Sequence, residues 1–302
     1  MKILLRLTLC SPALSRELAA DAVLAKALGA RPNAAVGHVF TKFFDATGPV
    51  LARVLRCAQD QGESLSLLRD MQFSDEEINA ASHLEVVCRS TIAQSRSDVT
   101  ATRAAWNADS LHLTSSEWRV RLPSKIYLSK PVPPLTIALV DQWTGEYACG
   151  IDAAQALRCS GLTGWALAPV LHPVKGTLHE TGFHLTTSEL LPAALADRTR
   201  IATYDDGPRQ PCQPRRYGLL SYAAGALAQT PDFARTAEPW GPWRTPQWVV
   251  RQSVRQWFVE SGLRGWAFWP VLEEGTALHG EHLSRWEETL DRLACAGASI
   301  AI

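Results

Sequence analysis

Twelve residues recur in this chain at an offset of 101. Ser160-Gly161-Leu162-Thr163-Gly164-Trp165-Ala166-Leu167-Ala168-Pro169-Val170-Leu171 aligns with Ser261-Gly262-Leu263-Arg264-Gly265-Trp266-Ala267-Phe268-Trp269-Pro270-Val271-Leu272, nine of the twelve positions being identical. Recurrence at one fixed offset commits a chain to building the same structural unit twice. Each copy reads as a helix, a tight turn and a strand. Asp152 and Ser253 are suited to cap the helices, and Gly161 and Gly262 to end them in the left-handed conformation. Beyond the turn, Trp165 with Leu167, and Trp266 with Phe268, lie on one face of a strand by its two-residue period. Residues 135–140 and 218–222 are expected to supply a strand ahead of each helix. The duplication then covers about 135–185 and 218–285. The two strand–helix–strand units are expected to share one sheet, because each alone offers little apolar surface to bury.

The first 115 residues read differently. Leu5, Leu7 and Leu9 alternate with polar neighbours, a strand pattern. Ser11-Pro12 opens a helix that should run to Gly29. Val36, Val39, Phe40, Phe43 and Phe44 repeat at helical spacing, and a further helix follows Pro49. Ser74 and Glu77 form a capping box, with Phe73 placed to staple onto Ile78. The reading is an α+β chain: a mainly helical N-terminal region over residues 1–115, then, over 116–302, a mixed sheet built from the two repeated units. Pro131, Pro133 and Pro134 punctuate the join.

Composition narrows the function classes. With 30 basic and 30 acidic side chains the formal net charge is zero, which removes the attraction that nucleic-acid binding relies on. No apolar run approaches the ~20 residues of a membrane span. The cysteines number seven, with no CxxC pair, so they read as reduced thiols in a cytoplasmic protein. His179, His184, His279 and His282 are the candidate set for a metal or hydrolytic centre. His179-Glu180-Thr181-Gly182-Phe183-His184 is one residue too long for a zinc-protease helix, and Gly182 interrupts it. No third or fourth ligand follows at a recognisable interval, so no metal and no cofactor are expected. The 11 tryptophans are the unusual count. Trp240, Trp243 and Trp248 are threaded among prolines, and Trp269 replaces Ala168 in the second copy. With Arg244, these are the candidate anchors for a protein partner.

Taken together, Phe73-Ser74-Asp75-Glu76-Glu77-Ile78 leading to Glu85-Val86-Val87-Cys88-Arg89, the segment from Arg121 to Lys130, and the Gly-Leu-x-Gly-Trp strands resemble immunity proteins of bacterial polymorphic and contact-dependent toxin systems. The likeness is to the double-CXXCG type, whose cysteine motifs this chain lacks. The resemblance implies a cytoplasmic protein that binds and neutralises a toxin, or a diverged paralogue of one, and transfers no functional residues. The expected reading is a protein that occludes the active surface of a cognate toxin encoded nearby, with no catalytic residues read from the sequence. A hydrolase using the histidine cluster and a scaffold module are the alternatives.

Overall fold

The computed structural model describes residues 1–92, 94–108, 110–114, 119–123, 125–141, 145–199, 201–204, 213–216, 218–240 and 245–301. The fold is mixed α+β, and the chain divides into two compact units: residues 1–77 with 277–302, and residues 78–276.

The first unit is built on a four-stranded sheet in the order Ser299–Ala301, Ser66–Gln72, Lys2–Leu9, Phe44–Asp45. Leu5 and Leu7 are buried from the strand, and Leu14, Leu18, Leu24, Leu51 and Val54 are buried from the helices Pro12–Ala20, Ala22–Leu28 and Pro49–Asp60. Ser11 caps as expected, its hydroxyl accepting from the Leu14 amide at 3.1 Å. The helix it opens breaks at Asp21, whose carboxylate caps a second one through the Val23 and Leu24 amides. The helix expected over residues 36–44 is instead a hairpin, Arg31–Asn33 with Gly37–Val39. Asn33 accepts from the Ala35 amide in an Asx turn and Gly37 takes φ +86°, so local turn chemistry overrides the apolar spacing. Met71 and Trp286 are buried in this unit as well. The helix Ala277–Cys295, bearing Trp286, was not foreseen.

The second unit holds the duplication, and it is larger than the twelve-residue repeat. Residues 83–171 run as strand His83–Cys88, helix Arg96–Ala108, hairpin Ser110–Thr114/Arg119–Pro123, strand Ile126–Tyr127, hairpin Ile137–Asp141/Glu146–Gly150, helix Ile151–Arg158 and strand Ala166–Leu171. Residues 178–273 repeat that succession: strand Leu178–Thr186, helix Ala196–Thr199, hairpin Ile201–Tyr204/Gln213–Arg216, strand Ser221–Tyr222, hairpin Phe233–Trp240/Thr245–Arg251, helix Gln252–Glu260 and strand Trp266–Pro270, which continues into Leu272–Glu273. Even side-chain bonds are duplicated. Thr102 Oγ1 accepts from the Tyr127 amide at 3.1 Å, and Thr199 Oγ1 accepts from the Ser221 amide at 3.1 Å; both threonines are fully buried. The strand ahead of each repeat helix is thus Glu146–Gly150 or Thr245–Arg251, not 135–140 or 218–222. The helices begin at Ile151 and Gln252, one residue before Asp152 and Ser253, and neither has a side-chain cap.

The halves sit in two main sheets, not one, and each lends the other a strand. The order in one is Ile137–Asp141, Glu146–Gly150, Leu178–Thr186, Ala166–Leu171, Ile126–Tyr127; in the other it is Phe233–Trp240, Thr245–Arg251, His83–Cys88, Trp266–Pro270. The leading strand of each half therefore fills the central slot of the other half's sheet. Register proves the equivalence. Ala148 and Ala168 flank His184, while Val249 and Trp269 flank Glu85; both flanking pairs differ by the same 101 positions as the repeat.

Contacts between the halves are reciprocal, as across a two-fold axis. The Phe233 amide donates to Thr163 O at 3.1 Å, and the Ile137 amide donates to Arg264 O at 2.9 Å. Tyr147 and Trp248, equivalent by register, meet edge-on with ring centroids 6.1 Å apart. Trp266, Phe258, Phe268 and Phe233 extend the same aromatic core. Each such pair adds about 1 kcal/mol to the area it buries.

His83 anchors the start of one exchanged strand, its Nε2 lying 2.8 Å from Thr230 Oγ1 in the other half. Burial, aided by the Arg251 guanidinium, lowers its pKa from 6.5 to about 4. The folded protein holds this imidazole neutral while the unfolded chain protonates it at 6.5. Its contribution is complete above pH 6.5 and lost as pH falls toward 4, about 3 kcal/mol in all. Urea midpoints measured at pH 7 and pH 5 should fall with acidification, and His83→Gln should flatten that slope.

Candidate functional site

One slot of the duplicated architecture is closed by ions. Glu146, on the strand entering the first repeat helix, is fully buried and grips Arg235 bidentately, Oε1 with Nη1 and Oε2 with Nη2, each at 3.0 Å. His184 Nε2 adds a contact of 2.7 Å to Oε2. The Arg235 guanidinium lies 4.4 Å from the Trp248 ring centroid. Burial alone would raise the pKa of Glu146, but Arg235 and His184 outweigh it and hold the carboxyl below its ordinary range. The triad draws Glu146 and Arg235 from opposite halves, so it ties them together. Its members are at most 1% exposed, which makes it a structural device rather than a place for a substrate.

The equivalent slot in the other half is open. By register Gln247 stands for Glu146, Glu85 for His184, Trp269 for Ala168, and Leu139 for Arg235; Leu139 pairs with Tyr147 as Arg235 pairs with Trp248. A cleft of about 220 Å³ results, lined by Glu85, Leu139, Tyr147, Gln247, Trp248 and Trp269 among others. Glu85 is 4% exposed and Trp269 is half-buried. The Trp248 indole N–H is buried with no hydrogen-bond partner among the described residues. Apolar aromatic walls around a few polar groups are the usual make-up of a recognition pocket.

The residues anticipated from sequence separate here. Trp269 lines the cleft. Trp248, expected as an anchor for a partner, is 2% exposed because Thr245–Arg251 is a central strand whose inward face meets Tyr147, Phe233 and Arg235; it is a core residue with one edge on the cleft. Trp243 and Arg244 lie outside the described residues, as does the Trp240 side chain. The four histidines fall in pairs. His179 and His184 share a strand of the second unit, and His279 and His282 share the buried face of helix Ala277–Cys295 in the first. His282 Nε2 rests 2.9 Å from Glu77 Oε1, and burial lowers its pKa to about 4. Among the described residues no three His, Cys, Asp or Glu side chains converge as a metal site would require, and no helix is long and apolar enough to cross a membrane.

Glu85, Glu146, Leu139 and Arg235 were not singled out from sequence. Glu85 and Arg235 each break an apolar stretch, in Leu84-Glu85-Val86-Val87 and Phe233-Ala234-Arg235, and that was the available signal; Glu146, the first residue of its strand, carries none. No protein-family model matches the chain, and no curated protein matches it in sequence.

Proposed function

We propose that this chain is a cytoplasmic protein-binding module, an immunity protein that neutralises a toxin encoded beside it by covering the toxin's active surface. The observation that supports this reading is the cleft at Trp269: a preformed recess with aromatic walls, carried on two interlocked sheets. Such a recess loses little entropy on binding and suits the aromatic-centred anchors that dominate tight protein interfaces. A zero net charge fits recognition by shape and a few buried contacts rather than by long-range steering.

The test is co-expression with the product of the adjacent gene. The two should purify as a 1:1 complex, and Trp269→Ala should weaken it about 30-fold, the loss of one anchor worth ~2 kcal/mol. A wild-type chain that purifies alone in every such experiment would overturn the reading.

A further inference from the structure

We propose that the open cleft receives an arginine side chain of the partner, its guanidinium lying between Glu85 and the Trp269 ring. The inference rests on the reading above and names the chemistry of the partner's anchor.

The protein itself supplies the template. In the closed slot an arginine from the neighbouring hairpin, Arg235, meets a buried carboxylate through both terminal nitrogens and stacks on the indole of Trp248. In the open slot the same backbone position carries Leu139, which reaches no further than its branched carbons. Where Arg235 reaches the acid in one half, the shorter Leu139 lines a cleft of about 220 Å³ in the other. The acid is retained but moved one strand over: Glu85 occupies the place of His184, and Gln247 offers an amide oxygen where Glu146 offers a carboxylate. Trp269 then adds an aromatic wall that the closed slot, with Ala168, does not have.

A guanidinium fits this lining better than an ammonium. It is planar, stacks on an indole face, and presents its donors in a fork to more than one oxygen. A carboxylate has lone pairs for several donors, so Glu85 can accept a guanidinium alongside the interactions it already makes.

The experiment titrates the full-length chain with L-arginine amide, read by tryptophan fluorescence, and repeats the titration with L-citrulline amide, which has the same shape without the charge. Saturable binding is expected, at least tenfold weaker for the citrulline compound. Glu85→Gln should weaken arginine binding at least tenfold. Leu139→Arg should abolish it, because the chain's own guanidinium then occupies the cleft, and this variant decides the matter if Glu85→Gln does not fold. Equal binding of the two amides, no saturation, or undiminished binding by Leu139→Arg would each overturn the inference. Arginine binding without a toxin complex would overturn only the immunity reading. A toxin complex indifferent to Glu85→Gln and Leu139→Arg would overturn only the arginine anchor.

Discussion

Gly265→Ala is expected to cost at least 4 kcal/mol of stability, enough to leave most of the protein insoluble. A Cβ at this position would lie 2.0 Å from the Ile137 carbonyl oxygen, and the residue holds φ +110°, a conformation nearly reserved for glycine. The obstacle is backbone, so no side chain can turn aside to relieve it. Gly164, its counterpart in the first copy, would meet the Phe233 carbonyl oxygen at 2.4 Å and should behave alike. Gly262 provides the internal control: its φ is +64° with nothing within 4 Å of the added atom, so Gly262→Ala should cost only about 1 kcal/mol. Urea denaturation followed by circular dichroism separates these cases. Equal losses for Gly262→Ala and Gly265→Ala would mean that the two halves do not clasp each other through these turns.

Arg235→Met should lose about 3–5 kcal/mol at pH 7, because it strips the Glu146 carboxylate, fully buried, of its main counter-charge. The double variant Arg235→Met/Glu146→Gln should recover a good part of that, since no charge is then left unpaired. The pH dependence has a fixed sign. Glu146 is held below its ordinary value of 4.5 in the folded protein, so its stabilisation is present above that pH and lost as pH falls below it. In Arg235→Met the largest interaction holding the carboxyl down is gone and His184 alone remains, so the carboxyl takes up a proton on folding more readily than in the wild type. The gap between wild type and variant should therefore narrow from pH 7 to pH 4. Urea midpoints at the two pH values check this, and a loss under 1 kcal/mol at pH 7 would contradict it.

Part of this architecture was legible in the sequence and part was not, for physical reasons. The twelve-residue repeat is visible because Gly164 and Gly265 face backbone oxygens and Trp165 and Trp266 follow the same turn; those positions tolerate little change. The rest of the duplication is silent. Residues 83–88 and 182–187 share no identical position, yet occupy equivalent slots, because a central strand is held by backbone hydrogen bonds and needs only side chains of suitable size. Strand exchange is equally invisible, since a strand's own residues do not say which of two sheets it enters. Helix Ala277–Cys295 is not legible because its buried face runs His279, His282, Trp286, Thr289, Leu293, with histidines where a helix usually places aliphatics. Of the cleft, Trp269 was found through its replacement of Ala168. Glu85 and Leu139 gain meaning only when the two halves are superposed by register.

The most direct measurement is growth of cells that express the product of the adjacent gene, the toxin that the proposed function requires, together with this chain, wild type or Trp269→Ala. Wild type should restore growth, and Trp269→Ala should fail to do so while remaining folded by circular dichroism. Rescue that is undiminished by Trp269→Ala would place recognition elsewhere on the protein, and no rescue by the wild-type chain would contradict the toxin-neutralising function itself.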